Sequence, residues 1–238
     1  MSLVQTVDQI EYPESDGMPL GETDLHRDWM FRILEILRLR YRGQRVYLAS
    51  DLLVYYEEGD LTKFVVPDDF VVKDCEPGRR RTFKIWEEGK GPDVVFEVTS
   101  RGSRREDQET KPELYAALGV KEYFSYDPTA DYLRPPLQGY RLERGRYARI
   151  EPDEAGVLRC EELDISLRLE EGELVMCDGR SGDVLRTEAE AERMARDAER
   201  TARDAAEAAR DAAESRAAEL EAELQRLREE LKGGPRDE

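Results

Sequence analysis

The chain is poor in the residues that most often announce a cofactor, a disulfide scaffold or a membrane. Among 238 residues there is one histidine, His26, and there are three cysteines, Cys75, Cys160 and Cys177. The cysteines are widely spaced, odd in number and form no Cys-x-x-Cys pair. That spacing argues against a disulfide framework or a zinc knuckle and leaves ordinary reduced thiols. No apolar run approaches the ~20 residues of a membrane span. The first residues also lack the basic-then-apolar layout of a secretory leader, so a cytoplasmic protein with no membrane partner is expected. Positive charge is scarce as well: 37 Lys and Arg stand against 55 Asp and Glu, for a formal net charge of -18. This balance argues against a protein that coats nucleic acid generally. It leaves room for an enzyme that meets DNA through a local basic patch, because phosphate affinity depends on where the cations are placed.

What is present reads as an α/β domain with an appended helix. Residues 1–20, with Pro13, Gly17 and Pro19 among polar neighbours, form an extended lead-in. A domain over 21–180 follows. Thr23 or Asp24 can cap a first helix whose apolar stripe is Met30, Ile33, Leu34, Leu37 and Tyr41, and which should cover a sheet. His26, near that helix start, could hold a phosphate or a neighbouring carboxylate. From Arg45 to Asp74 the pattern changes to short β-prone runs at 46–48, 52–56 and 70–72. Pro67-Asp68-Asp69 separates two such runs, and its plain reading is a turn.

The most informative stretch is Pro92-Asp93-Val94-Val95-Phe96-Glu97-Val98-Thr99-Ser100. In an extended strand Asp93, Val95, Glu97 and Thr99 point one way, and Val94, Phe96 and Val98 the other. A strand so rich in β-branched residues belongs inside a sheet, where an ionised Glu97 requires a cation, a set of hydrogen bonds or solvent. Cations concentrate on both sequence flanks: Arg79, Arg80 and Arg81 before the strand form either a solvated loop or a phosphate-contacting one, Arg101, Arg104 and Arg105 follow it, and Arg80, Arg101, Arg104 and Arg105 are the candidate substrate contacts. Residues 106–118 have helical character, with Gly119 as a stop. Pro112 is awkward in a helix interior, so the regular helix begins near Thr110 or kinks there, which leaves the aim of Lys111 open. Residues 122–126 read as a strand, making strand, helix and strand a crossover unit. Further short strands and hairpins, turning at Arg144-Gly145 and Glu171-Gly172, extend or cover the main sheet.

At about Arg186 the composition shifts to Ala, Glu, Arg and Asp, and glycine and proline vanish until Gly233. Ala-Arg-Asp-Ala recurs from Ala195, Ala202 and Ala209 at a seven-residue period, and Leu220, Leu224, Leu227 and Leu231 continue with four and three spacing. A coiled coil over 186–232 is the natural reading, with a stutter near Ser215 where the alanine and leucine seams fall out of register, and with homo-oligomers as the outcome. A single charged helix is the alternative. Residues 233–238 read as a flexible tail.

An early acid, a later acid on a buried strand and a nearby lysine are what metal-dependent phosphodiester hydrolysis requires. Carboxylates hold magnesium, the metal lowers the pKa of a bound water and screens the phosphate, and a lysine positions or deprotonates the nucleophile. The set Pro67-Asp68, then residues 92–100, then Lys111 with Leu114-Tyr115 and Gly119-Val120-Lys121-Glu122-Tyr123, resembles the Uma-two family of restriction-endonuclease-like proteins in the PD-(D/E)XK nuclease superfamily. The resemblance spans approximately residues 20–175 and includes His26. It implies a restriction-endonuclease-like fold, a mixed central sheet flanked by helices, with the long C-terminal helix lying outside it. It further implies Asp68 and Glu97 as metal-binding acids for Mg2+ or Mn2+ and Lys111 as the catalytic lysine, supplied from the helix because Thr99 holds the usual lysine position. Asp93 is a further candidate metal acid and Asp69 an alternative to Asp68. The activity implied is DNA endonuclease; the rival is a catalytically inactive nuclease-like scaffold that acts through its coiled coil.

Overall fold

A computed structural model describes residues 11–15, 23–100 and 110–232. Most of the lead-in over 1–20, the Arg101, Arg104 and Arg105 cluster, the start of the helix expected from 106 and the tail at 233–238 lie outside the described residues. In chain order the elements are α1 (Asp24–Arg40), β1 (Val46–Ser50), β2 (Val54–Tyr55), β3 (Phe64–Val65), β4 (Asp69–Lys73), β5 (Phe83–Lys84), α2 (Ile85–Glu88) and β6 (Val94–Val98). They continue as α3 (Lys111–Ala117), β7 (Glu122–Tyr126), β8 (Leu137–Glu143), β9 (Arg146–Arg149), β10 (Leu158–Cys160), β11 (Ile165–Glu170), β12 (Glu173–Asp178) and α4 (Glu188–Lys232).

The central sheet has six strands in the order β1-β4-β6-β7-β8-β9. It is mixed: β6 and β7 run parallel, while the other neighbours are antiparallel. A parallel pair cannot be joined by a hairpin, so the chain crosses over through α3 between β6 and β7. This crossover is the one expected from the sequence, and it lays α3 on one face of the sheet. The register sorts the strand side chains cleanly. Val94, Phe96 and Val98 of β6 join Val71, Phe124 and the α1 residues Trp29, Ile33 and Leu37 in one core. Val95 joins Phe70, Val72, Tyr115, Val120 and Tyr123 in a second core on the opposite face.

Thr23 caps α1, its hydroxyl accepting the His26 amide at 3.3 Å. The buried face of α1 is wider than the expected stripe and adds Trp29 and Ile36. The reason is a second sheet, β10-β11-β12, whose Leu158, Ile165, Leu167, Leu174 and Met176 belong to the same core as α1. Arg32 donates to the Leu174 carbonyl at 2.8 Å and Tyr41 to the Leu163 carbonyl at 2.6 Å, so polar contacts lock the helix to that sheet as well. Each large apolar side chain so buried contributes roughly 1.5–3 kcal/mol. On β8, Gly139 leaves room for the Phe124 ring: a Cβ there would stand 2.7 Å from it. That space keeps Phe124 stacked on Phe96 at 5.5 Å.

One sequence expectation is revised. Pro67-Asp68-Asp69 is not a solvent turn: all three residues are buried, and Asp69 is the first residue of β4, paired with Ser50 and Phe96. The later strands extend or cover the main sheet as expected: β8 and β9 extend it, and β10-β11-β12 form a separate three-stranded sheet that shares the core on one of its faces. The chain divides into two compact units, Met1–Thr187 and Glu188–Glu238. In the second, α4 is a 45-residue helix whose Leu220, Leu224 and Leu227 are about half exposed, at 55%, 53% and 50%. No helix among the described residues is long and apolar enough to cross a membrane.

Candidate active site

At one end of the sheet the N-terminal ends of β4, α1 and α3 meet the C-terminal end of β6. The β4/β6 register pairs Asp69 with Phe96, and one step beyond it sets Asp68 beside Glu97. Glu97 lies on the α3 face and is 1% exposed. A carboxylate buried to that extent needs partners, and two come from α3. Lys111 Nζ is 2.8 Å from Glu97 Oε2, and the Tyr115 hydroxyl donates to Oε1 at 2.5 Å. Lys111 and Tyr115 are four residues apart, so one face of one helix serves both oxygens.

Pro112 does not turn the lysine away. It occupies the first turn of α3, where a missing N–H breaks no intrahelical bond and the fixed φ suits the helix start. The helix therefore begins at Lys111 and aims it inward; the lysine is 6% exposed.

Asp68 is held from three directions. His26 Nε2, from the first turn of α1, stands 3.2 Å from Asp68 Oδ2, and the Val98 amide donates to the same oxygen at 2.7 Å. Burial opposes its charge, but the His26 contact, the Lys111 charge and the Val98 N–H outweigh it and hold the carboxyl below its usual pKa. Of the two roles open to His26 in the sequence, holding a carboxylate is the one the geometry takes.

Asp69 is a different kind of acid. It is 1% exposed, and neither of its carboxyl oxygens has a hydrogen-bond partner among the described residues. Burial first, then the charges of Asp68 and Glu97, push its pKa well above the usual carboxylate range, which favours the protonated acid. The adjacent Ser50 hydroxyl donates instead to the Asp68 carbonyl at 2.6 Å. Thr99, on the Glu97 face and 2% exposed, likewise has a hydroxyl with no partner among the described residues.

The other candidates stand elsewhere. Asp93 shares the face of Glu97 but lies four residues down an extended strand, on the order of 13 Å away. There it accepts from Lys90 Nζ at 2.7 Å and the Lys73 amide at 2.8 Å, with Lys121 Nζ at 3.1 Å. Burial raises its pKa, and these donors more than reverse that effect. Arg80 forms a two-pronged pair with Glu88 at 2.6 and 2.8 Å, and its guanidinium lies 3.9 Å from the Tyr47 ring centroid. Tyr47 is three residues along β1 from the Ser50 and Asp69 pair. Tyr115 was legible only as part of a motif. Its role could have been found from its i, i+4 spacing to Lys111.

Among the described residues no group of three His, Cys, Asp or Glu side chains forms a ready-made metal cage. Two carboxylates are what Asp68 and Glu97 offer. Magnesium is commonly held by one or two carboxylates, with waters and substrate phosphate completing the shell, so an oxygen-only pair of this kind fits that ion.

Fold and site together define an α/β protein with a mixed central sheet and a buried carboxylate, carboxylate and lysine cluster at one sheet end. The chain belongs to the Uma2 family, described as a putative restriction endonuclease, which matches residues 9–170. A crystal structure of a putative nuclease belonging to DUF820 from Anabaena variabilis is similar with a TM-score of 0.45 and 14% identity, covering 60% of this chain and 75% of that one. No curated protein matches the chain.

Proposed function

We propose that the protein is a metal-dependent endonuclease that hydrolyses phosphodiester bonds of DNA at Asp68, Glu97 and Lys111. The observation that carries this reading is the buried contact of Lys111 Nζ with Glu97 Oε2, 2.8 Å long, next to an Asp68 kept ionised by its neighbours. Asp68 and Glu97 would hold Mg2+ or Mn2+, which when bound lowers the pKa of a water and screens the phosphate. The remaining work belongs to the chain. Tyr115 fixes the rotamer of Glu97, His26 fixes Asp68, and Lys111 supplies a buried cation positioned to orient a nucleophilic water or meet the phosphate. Arg101, Arg104 and Arg105, which follow β6 in sequence, supply the positive charge for the DNA backbone. Exposed leucines on α4 support self-association, which would bring two active sites to the two strands of a duplex.

Removing one member of a buried ion pair costs roughly 3–5 kcal/mol, so the test uses variants that preserve shape. Glu97→Gln and Lys111→Met, singly and together, should abolish metal-dependent nicking of plasmid DNA, with circular dichroism and melting of the double variant showing a folded chain. Full activity in a folded double variant would remove the assignment.

One observation favours a second reading. Both Glu97 oxygens are already bonded within the protein, as in a network that serves only the fold. A catalytically inactive scaffold acting through α4 would keep that network. Magnesium titration separates the two: the enzyme binds the ion with an affinity that Glu97→Gln lowers, and the scaffold is indifferent.

A further inference from the structure

The sheet face that carries Glu97 opens, between the start of α3 and the segment joining β7 to β8, into a cavity of about 440 Å3. Ser125, Tyr132, Arg134, Gln138, Tyr140 and Tyr147 line it, and so does Pro112, the residue after Lys111. Its place follows from the register. Glu97 pairs with Ser125 across β6 and β7, and Ser125 with Gln138 across β7 and β8, so the three form one row on one face. Strands lie ~4.8 Å apart, which puts the far end of that row within ~10 Å of Glu97.

The wall is aromatic and braced. Tyr140 lies 5.8 Å from Tyr123 with the rings near parallel, and 6.4 Å from Tyr147. The Tyr140 hydroxyl donates to Gln138 Oε1 at 2.6 Å, and the Tyr147 hydroxyl to the Val120 carbonyl at 2.9 Å. With those hydroxyl donors engaged inside the protein, the rings offer a ligand mainly flat apolar surface. Tyr132 is fixed in the loop by its amide, which donates to Asp127 Oδ2 at 2.6 Å. Arg134, two residues on, is exposed and adds a cation to the lining. The volume falls in the ~300–1,000 Å3 range of small-ligand sites.

Flat rings beside a guanidinium, one row from a phosphodiester site, suit a planar heterocycle attached to a phosphate. We propose that this cavity seats one unstacked nucleobase of the strand being cut, with the base against the tyrosine rings and a phosphate beside Arg134; the proposal rests on the nuclease reading above. Because every base has a π-face and the Tyr140 and Tyr147 hydroxyls are engaged, the tyrosine wall accepts purines and pyrimidines alike. It therefore positions the strand and does not read its sequence.

The test is equilibrium binding of single nucleotides to the full chain in the presence of a chelator, followed by NMR shifts or tyrosine fluorescence. Deoxyadenosine and thymidine monophosphates should bind at least about tenfold more tightly than 2-deoxyribose 5-phosphate, which lacks the base. Tyr132→Ala should erase that preference and Tyr132→Phe should keep it. Equal binding of the sugar phosphate, no binding of either nucleotide, or a preference unaffected by Tyr132→Ala overturns the proposal. Cleavage by Glu97→Gln judges the nuclease reading separately. Nucleotide preference together with undiminished Glu97→Gln cleavage would sink the assigned chemistry and leave the cavity's role standing, whereas Glu97-dependent cleavage with no base preference would sink the cavity's role alone.

Discussion

Asp68 and Val98 continue the ladder between β4 and β6 past its last backbone pair. The Val98 amide, at the end of β6, donates at 2.7 Å to the side-chain oxygen of Asp68 where a neighbouring strand would ordinarily present a carbonyl. The acid of the candidate site is thereby also a structural acceptor, and the two roles separate by substitution. Asp68→Ala should strand the buried amide and lose ~1–3 kcal/mol of stability. Asp68→Asn retains an acceptor oxygen for the Val98 amide but loses the charge that His26 and Lys111 favour, so it should melt above Asp68→Ala and below the parent while losing metal-dependent nicking. Denaturant melts and a plasmid assay on both variants check this; an Asn variant with parental activity would contradict it.

Tyr115→Phe removes only the hydroxyl that fixes Glu97 Oε1. A hydrogen bond to a buried charge contributes ~1.5–3 kcal/mol, so the melting temperature should fall by several degrees. Under the proposed function, cleavage should drop without vanishing, and the magnesium concentration for half-maximal rate should rise, because Glu97 remains but is less well aimed. A titration of rate against magnesium distinguishes that outcome from loss of stability alone.

Asp69→Asn should stabilise the protein. The native carboxyl is buried without a partner among the described residues, beside two other acids. Asn keeps the volume and, being neutral folded and unfolded, removes the proton uptake that folding demands of this carboxyl at neutral pH. At pH 7, with chelator present, its melting temperature should exceed the parent's by a few degrees. A lower value would show that the carboxyl is held by something stronger than packing.

The loop between β7 and β8 is organised by Asp127, which accepts from the Thr129, Tyr132 and Leu133 amides at 3.0, 2.6 and 2.9 Å. Burial raises its pKa, but these amides and the Thr129 hydroxyl outweigh burial and hold it below the ordinary value. A depressed folded pKa contributes stability that is present above the unfolded value, about 3.9, and is lost as pH falls through the folded one. Hydrogen exchange of the Tyr132 and Leu133 amides should therefore stay slow at neutral pH, relative to the intrinsic rate, and lose protection in acid below about pH 4. Asp127→Ala should show that loss of protection at every pH.

Self-association through α4 predicts that Leu220→Glu combined with Leu224→Glu reduces the sedimenting mass to that of one chain. Both side chains are exposed in the single helix, so the substitutions need not disturb the first unit. An unchanged mass in a parent that sediments as an oligomer would move the interface elsewhere.

Much of this arrangement was legible because it depends on alternation and periodicity. The faces of β6, the crossover through α3 and the Thr23 cap follow from patterns within a few residues of one another. Lys111 and Glu97 were paired by type and motif, and the helix start at Lys111 supplied the missing geometry. What escaped depends on tertiary register. Alternation placed Asp93 on the face of Glu97 but could not say that Lys90 and Lys121 hold it at the other end of the strand. Pro67-Asp68-Asp69 has the composition of a turn, and it is buried where Asp69 enters β4 between β1 and β6. Arg80 looked like one of three equivalent loop cations, yet the nearby Glu88 and Tyr47 draw it inward.

The clamp on α1 affects how mutational data on this protein would read. His26 reaches Asp68 from the first turn of α1, and α1 packs against both the central sheet and the small β10-β11-β12 sheet. Under the proposed function, a screen that scored cleavage alone would flag Ile165, Leu167 or Leu174 as well as Glu97 or Lys111. Shortening any of these side chains should loosen the core that seats α1 and with it the contact of the imidazole with its carboxylate. Melting curves on such hits would separate the hinge of the apparatus from its jaws.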